Sequence, residues 1–507
     1  MNMSLRTPTT TPLAAGHADP DAPPALSPLG LVTLLVGTFL PMTDFFIVNV
    51  ALPTIDHDLH ASPGMLQLVV AGYGVAYAVL LVVGGRLGDA IGRRRLFIAG
   101  MAGFTLTSLA CGLAPSIGLL VAGRALQGAA SAMMLPQVLS SIQATTSGKG
   151  RARALGFYGA TGGLAAVAGQ LLGGVLVSAD IAGTGWRPIF LVNVPVGVVG
   201  MVLAGRVIPE TRSSAPAPVD RSGTAFLGAT LLALLVPLTE GRSLGWPAWT
   251  VALLVVAPFL AAGFVRAERR LERRGGAPLV PMSVLAVPSM RRGLLLGLPF
   301  FAGFGGFMFV YALTLQVGAH FSALRTGMTL VPMALGFLAA SLAMPWLVAR
   351  FGRTQLTIGA AIQFCGLGGL AWALTAGWPH PAMWSLCIPS LACGVGQGMI
   401  MPPLFRIVLS EVPPALAGVG SGVLTTMQQT ALGLGVATIG SLYLSASAHG
   451  GRSSLHASVL VLVILTAVAV VVGAASQALP REVPASSGAG AASADEPLEL
   501  AALEAGV

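Results

Sequence analysis

Apolar residues in this chain run in long continuous stretches rather than recurring at every second position or on one helical face. Fourteen such stretches can be laid out, at 29–53, 65–85, 95–113, 117–141, 154–178, 187–205, 223–240, 247–265, 293–316, 326–349, 355–376, 382–405, 417–446 and 455–477, with polar or Gly/Pro-rich breaks between them. Each is near the roughly 20 residues that a helix needs to cross a bilayer. A hydrocarbon interior tolerates helices or closed barrels only, and barrel strands alternate in hydrophobicity whereas these runs do not. The pattern predicts an all-α membrane protein.

Composition agrees. The chain has 507 residues, 55% hydrophobic and 9% charged, far from the roughly 25% charged content of a soluble domain. The net charge of +9 raises the question of nucleic acid, but the placement of the basic residues answers it. Of 27 Lys and Arg, Arg187, Arg242, Arg325 and Arg452 fall in loops of one side and Arg124 falls inside a span. The others lie in loops of the opposite side or in the termini, including the cluster Arg86/Arg93/Arg94/Arg95 and the run Arg266/Arg269/Arg270/Arg273/Arg274. By the positive-inside rule this places both termini in the cytoplasm, with no nucleic-acid partner. Residues 1–28 lack an apolar run, which argues against a signal peptide and for a disordered tail, and 478–507 read the same way. Cys111, Cys365, Cys387 and Cys393 all fall within predicted helices, so neither a disulfide framework nor a metal cluster is expected.

A weak internal echo divides the chain. Gly85–Arg93 aligns with Pro345–Arg353 through Leu87/Leu347, Gly92/Gly352 and Arg93/Arg353; Gly128 and Pro136 are matched by Gly394 and Pro402. Both echoes fall at equivalent places in two halves, which points to duplication. The expected organisation is a six-helix bundle (29–205), a linker with two extra spans (206–265), a cytoplasmic linker (266–292) and a second six-helix bundle (293–477).

A charge at membrane depth is costly without a partner or a task. Asp44 is the acid that sits well inside a span, nine residues before Pro53, and Arg124 lies eight residues after Ser116. At 1.5 Å per residue both are roughly 12–14 Å deep. An acid and a base at one depth can form a proton-responsive pair or a permanent structural one. No phosphate-binding loop of the ATPase type is present, no His-Glu-x-x-His, and no cofactor is implied. The reading is a transporter driven by an ion gradient, not an enzyme.

Several motifs carry a family resemblance over about 29–477. Asp44-Phe-Phe-Ile-Val-Asn49-Val-Ala-Leu-Pro53, the loop Gly85-Arg-Leu-Gly-Asp89-Ala-Ile-Gly92-Arg93, the fourth-span Arg124-x2-Gln127-Gly128 and Trp186-Arg187-Pro-Ile-Phe190-Leu-Val-Asn193 resemble the fourteen-helix drug/proton antiporter branch of the major facilitator superfamily. The resemblance implies a major facilitator fold of two six-helix bundles plus two central helices. It also implies proton coupling through Asp44 and Arg124 and a cytoplasmic gating motif at Gly85, Asp89, Gly92 and Arg93. One departure stands out: Gly169-Gln170-Leu-Leu-Gly173-Gly174 has glutamine where that branch carries a helix-bending proline.

Candidate substrate-cavity residues are Asn49, Tyr73, Gln127, Tyr311, Gln428 and Gln429, with Tyr77, Tyr158, Gln316 and Gln397 behind them; each also fits ordinary helix packing. The expected function is proton-driven export of small amphipathic compounds, drugs or antibiotics, by a monomer in the inner membrane. The alternative is a proton-coupled uptake symporter.

Overall fold

The computed structural model describes residues 26–213, 216–242, 244–352, 354–413, 416–447 and 451–477. The expected tails lie outside these residues, 26–28 excepted, as does Arg353 of the loop echo. Helix starts follow local chemistry. In α1 (Pro28–Leu59) the Ser27 hydroxyl accepts from Gly30 N at 3.0 Å, and in α2 (Pro63–Ile91) Ser62 accepts from Met65 N at 3.2 Å. Each capping serine is followed by a proline whose missing N–H costs nothing in the first turn. The first half continues with α3 (Arg93–Gly112), α4 (Ile117–Thr145) and α5 (Gly148–Ala179), then the short α6 (Pro188–Leu191) and α7 (Asn193–Val207).

Next come α8 (Arg221–Glu240), α9 (Ala248–Arg273) and the short α10 (Met282–Ala286). The second half comprises α11 (Pro288–Leu313), α12 (Ala323–Leu342), α13 (Met344–Phe351), α14 (Thr354–Gly377), α15 (Met383–Leu409), α16 (Ala417–Gly435), α17 (Ser441–Ala446) and α18 (Arg452–Ser476). Among the described residues, thirteen helical segments are long and apolar enough to cross a membrane. The remaining predicted stretch, 417–446, is α16 and α17 joined by a π-helical turn at Val436–Gly440. Gln428, Gln429 and three threonines make α16 too polar for lipid, and it packs against α11 and α2 instead.

In the first half α2 and α3 pack on α4, α1 on α5 and α7 on α3; in the second, α12 and α14 pack on α15, α18 on α14 and α16 on α11. The two halves meet along α5/α12 and α2/α16, while α8 lies against α2 and carries α9. The repeated glycines explain the sequence echo. A methyl on Gly128 of α4 would collide with the Tyr73 carbonyl of α2, and one on Gly394 of α15 with the Met333 carbonyl of α12. Tyr73 and Met333 each stand nineteen residues before their loop glycines, Gly92 and Gly352. Two residues beyond Gly128 and Gly394, the Ala130 and Gly396 carbonyls lie 3.0 Å from the positions a Cβ would take on Gly100 and Gly359. Backbone-to-backbone contact at matched positions is what small residues permit between membrane helices.

Three expected elements differ in detail. The span 187–205 comprises α6 and α7, joined through Val192 with helical backbone angles, and 326–349 comprises α12 and α13, joined at Ala343. The connection 266–292 is largely helical: α9 runs on to Arg273 and α11 begins at Pro288. Glu268 and Glu272 tie the returning chain to α9 by accepting hydrogen bonds from the Val280, Met282 and Ser283 amides.

Candidate functional site

Asp44 and Arg124 meet in the interior of the first half, each with no exposed surface. Arg124 Nη1 donates to Asp44 Oδ2 and, at 2.7 Å, to Gln127 Oε1. Gln127 Nε2 donates to Asp44 Oδ1 at 3.0 Å, and Asn193 Nδ2 donates to the same oxygen at 3.0 Å. The carboxylate thus accepts from α4 twice and from α7 once. Arg124 Nε donates to the Val69 carbonyl of α2 at 3.0 Å, and its guanidinium lies 4.4 Å from the Tyr73 ring centroid. Arg124 Nη2 is left without a hydrogen-bond partner.

Asn193 enters the cluster from just after the junction of α6 and α7, where Val192 keeps a helical backbone. With α6 ending at Leu191, Asn193 opens α7, and its amide nitrogen also donates to Ser108 Oγ of α3 at 3.0 Å. Ser108 in turn donates to the Phe190 carbonyl at 2.9 Å. On the other flank the Tyr73 hydroxyl lies 2.9 Å from Ser131 Oγ and donates to the Pro41 carbonyl at 3.3 Å. Five helices therefore converge on one ion pair. Such bonds offset much of the desolvation cost of a buried pair: the Asp44 carboxylate is met by three donors, whereas Arg124 keeps one nitrogen unpartnered. The matched positions of the second half carry no charge: four residues before Gly394 stands Ser390, where Arg124 precedes Gly128, and it is 3.4 Å from the Tyr311 hydroxyl.

A second cluster forms at the α2–α3 turn. Asp89 Oδ1 accepts from Arg93 Nη2 at 2.8 Å, and Gly92 takes φ +115°, a conformation that side chains disfavour. The chain after α7 closes over this turn: Arg93 N donates to the Thr211 carbonyl, Ser213 N to that of Asp89, and Arg94 N to Glu210 Oε1. A carboxylate at the start of α3 is well placed against the helix dipole. Arg86, one residue after Gly85, donates to the carbonyls of Pro218, Ala277 and Pro278. Asp220, which caps α8, accepts from Gly223 N at 2.8 Å and from Leu279 N at 3.3 Å. Burial alone would raise its carboxyl, but these bonds outweigh it and hold the group below the usual aspartate range.

The candidate cavity residues separate into groups. Tyr73 and Gln127 belong to the ion-pair cluster. Asn49 is buried one turn from it, donating to the Phe45 carbonyl with its own oxygen unpartnered. Tyr311 is buried and donates to Thr329 Oγ1 at 3.0 Å. Gln428 and Gln429 are half-buried in α16, and Gln429 Oε1 has no partner. Gln170, the departure from the expected proline, is buried in α5 with both amide atoms unpartnered, its backbone against Gly327 of α12. Asn193 and Arg86 were read from sequence only as members of a motif and of a basic cluster, and Ser108 and Glu210 were not singled out. Asn193 carried a signal, a lone amide in an apolar run, whereas the others look like ordinary span or loop residues until the fold assembles them.

At the end of the molecule opposite the α2–α3 turn the halves are latched. Gln316 Nε2 donates to the Val50 carbonyl at 2.9 Å, and Leu324 N donates to Ser178 Oγ at 3.0 Å. Toward the end that carries the turn, Gly156 and Gly159 of α5 have open space beside them and Phe157 is exposed.

Comparison with known proteins gives this architecture its context. The sequence is 39% identical over 422 residues to a probable actinorhodin transporter of Streptomyces coelicolor, covering 82% of this chain and 72% of that one. It is 34% identical to a puromycin resistance protein of Streptomyces alboniger, covering 83% and 82%. It is 31% identical to a tetracenomycin C resistance and export protein of Streptomyces glaucescens, covering 82% and 76%. Among solved structures, a POT family transporter in complex with a thioalcohol-conjugated peptide superposes with a TM-score of 0.66 at 12% identity, covering 89% of this chain and 97% of that one, a likeness of fold alone. Residues 34–436 match the profile of the Major Facilitator Superfamily, and the chain belongs to that family of multi-pass membrane transporters.

Proposed function

We propose that this protein is a proton-driven exporter of small amphipathic compounds, antibiotics or drugs among them, working by alternating access of its two bundles. The observation that carries the reading is the dry Asp44–Arg124 pair with its three-donor carboxylate. When the bundle opens to a proton source, a proton on Asp44 cancels its charge and releases the Arg124 guanidinium. The pair thereby loses the contact that ties α1 to α4, and the bundle can change shape. Inward movement of one proton supplies roughly 2.3 kcal/mol per 100 mV, about a fiftyfold concentration gradient.

Export is favoured over uptake by the relatives, which are named as antibiotic transporters and resistance proteins. The latched state described above is then inward-open, with the α2–α3 turn and both termini in the cytoplasm and Gly85, Asp89, Gly92 and Arg93 acting at the cytoplasmic gate. Asn49, Gln428 and Gln429, with their unpartnered or half-exposed amides, are the candidate contacts for substrate; Tyr311 supports the facing wall. The protein is expected to act as a monomer in the inner membrane.

The test is proton-gradient-dependent efflux of a panel of cationic dyes and antibiotics from cells carrying wild type or Asp44→Asn, at matched membrane levels. Efflux lost in a normally inserted variant supports coupling through Asp44. Full efflux in Asp44→Asn reduces the pair to a structural tie.

A further inference from the structure

We propose that the cytoplasmic extension of α9 is a binding site for anionic phospholipid headgroups, and that lipid bound there steadies the linker that holds the α2–α3 loop. The argument starts from the two faces of this helix. Val251, Val255 and Phe259 are exposed and fall on one face, the last of them 71% accessible. Arg266, Arg269, Arg270 and Arg273 continue the same face over the next turns, with Arg274 capping the helix, and all five are exposed. An apolar stripe that passes directly into five guanidinium groups matches acyl chains topped by phosphate. None of the five forms an ion pair among the described residues. Apart from the short α10, α9 packs mainly on α8, which leaves this face open along its length.

The opposite face carries the coupling. Glu268 is fully buried and accepts from Val280 N at 2.7 Å; Glu272 accepts from Met282 N at 3.0 Å and Ser283 N at 3.1 Å. The stretch so held includes Ala277 and Pro278, whose carbonyls, with that of Pro218, receive the Arg86 guanidinium from the end of α2. Headgroups on one side of α9 and the loop on the other are thus joined through a single helix and one strip of backbone. Guanidinium groups suit this task because they grip phosphate bidentately.

The occupant is lipid rather than protein because the basic face is continuous with the lipid-facing stripe. The competing occupant is the C-terminal segment of this chain, which carries Glu482, Asp495, Glu496, Glu499 and Glu504. The experiment uses the full chain in nanodiscs of phosphatidylcholine alone or with phosphatidylglycerol, following hydrogen exchange of the Val280, Met282 and Ser283 amides. Wild type is compared with R269Q/R270Q/R273Q and with R151Q/R206Q/R350Q, which removes the same charge elsewhere. Phosphatidylglycerol should slow exchange at these amides severalfold in wild type and in the control variant, and not in the α9 variant. Native mass spectrometry should show phosphatidylglycerol bound on the order of a hundredfold more weakly by the α9 variant. Equal exchange in both lipids, or a phosphatidylglycerol effect that survives in the α9 variant, overturns the proposal. Protection already present in phosphatidylcholine and lost on deleting 482–507 overturns it in favour of the acidic tail.

Discussion

At the scale of single residues, the cost of error is highest around Asp44, because every neighbour that donates to it is also buried. Hydrogen bonds to a charged group contribute roughly 1.5–3 kcal/mol each. Asn193→Ala removes one of the three donors and leaves Ser108 with one partner fewer. On the proposed coupling, efflux at a fixed proton gradient should fall by about tenfold or more in a protein that still reaches the membrane; unchanged efflux would show that Asn193 only packs. Arg124→Lys should lose nearly all activity, since an ammonium cannot donate to Asp44, Gln127 and the Val69 carbonyl in the planar arrangement seen here. Measuring efflux beside the thermal midpoint separates lost coupling from lost fold.

At the scale of helices, the contacts that matter are backbone to backbone. Gly128→Ala and Gly394→Ala each place a methyl on a carbonyl of the facing helix, in α2 and α12 respectively, and neither backbone can step aside without moving its bundle. Overpacking of this kind costs about 1–3 kcal/mol. Both variants should lower the melting temperature in detergent by several degrees. Gly118→Ala, where nothing lies within 4 Å, should leave it unchanged. Equal melting of all three proteins would mean that the close crossings relax more readily than packed interiors do elsewhere.

At the scale of the whole molecule, alternating access requires the α5/α12 seam to part. Ser178 and the Leu324 backbone are hydrogen-bonded across it at 3.0 Å. A Ser178→Cys/Leu324→Cys pair, joined by a short bifunctional thiol reagent, should abolish efflux, and cleavage of the joined link should restore it. Efflux that persists in fully linked protein would rule out opening along this seam. The pseudo-symmetry adds a functional asymmetry at this scale: the crossings around Gly128 and Gly394 match, yet the position of Arg124 in one half is taken by Ser390 in the other. Among the described residues the buried Asp44–Arg124 pair belongs to the first half, and the position matched to Arg124 in the second half is a neutral serine.

What the sequence determined by itself was whatever depends on hydration and on local geometry. Continuous apolar runs dictated membrane helices, and loop arginines dictated their orientation as an expectation. Asp44 and Arg124 could be read as candidates because a charge in an apolar run is anomalous wherever it points. Only the tertiary structure decided which groups complete the cluster. Asn193 reaches Asp44 because α7 packs on α1, and Ser108 joins because α3 packs on α7. Arg86 looked like one member of a basic loop until its carbonyl partners, more than 130 residues away in the chain, closed around it. Contacts between residues so far apart in sequence depend on the packing of whole helices, and no local pattern of polar and apolar residues encodes them.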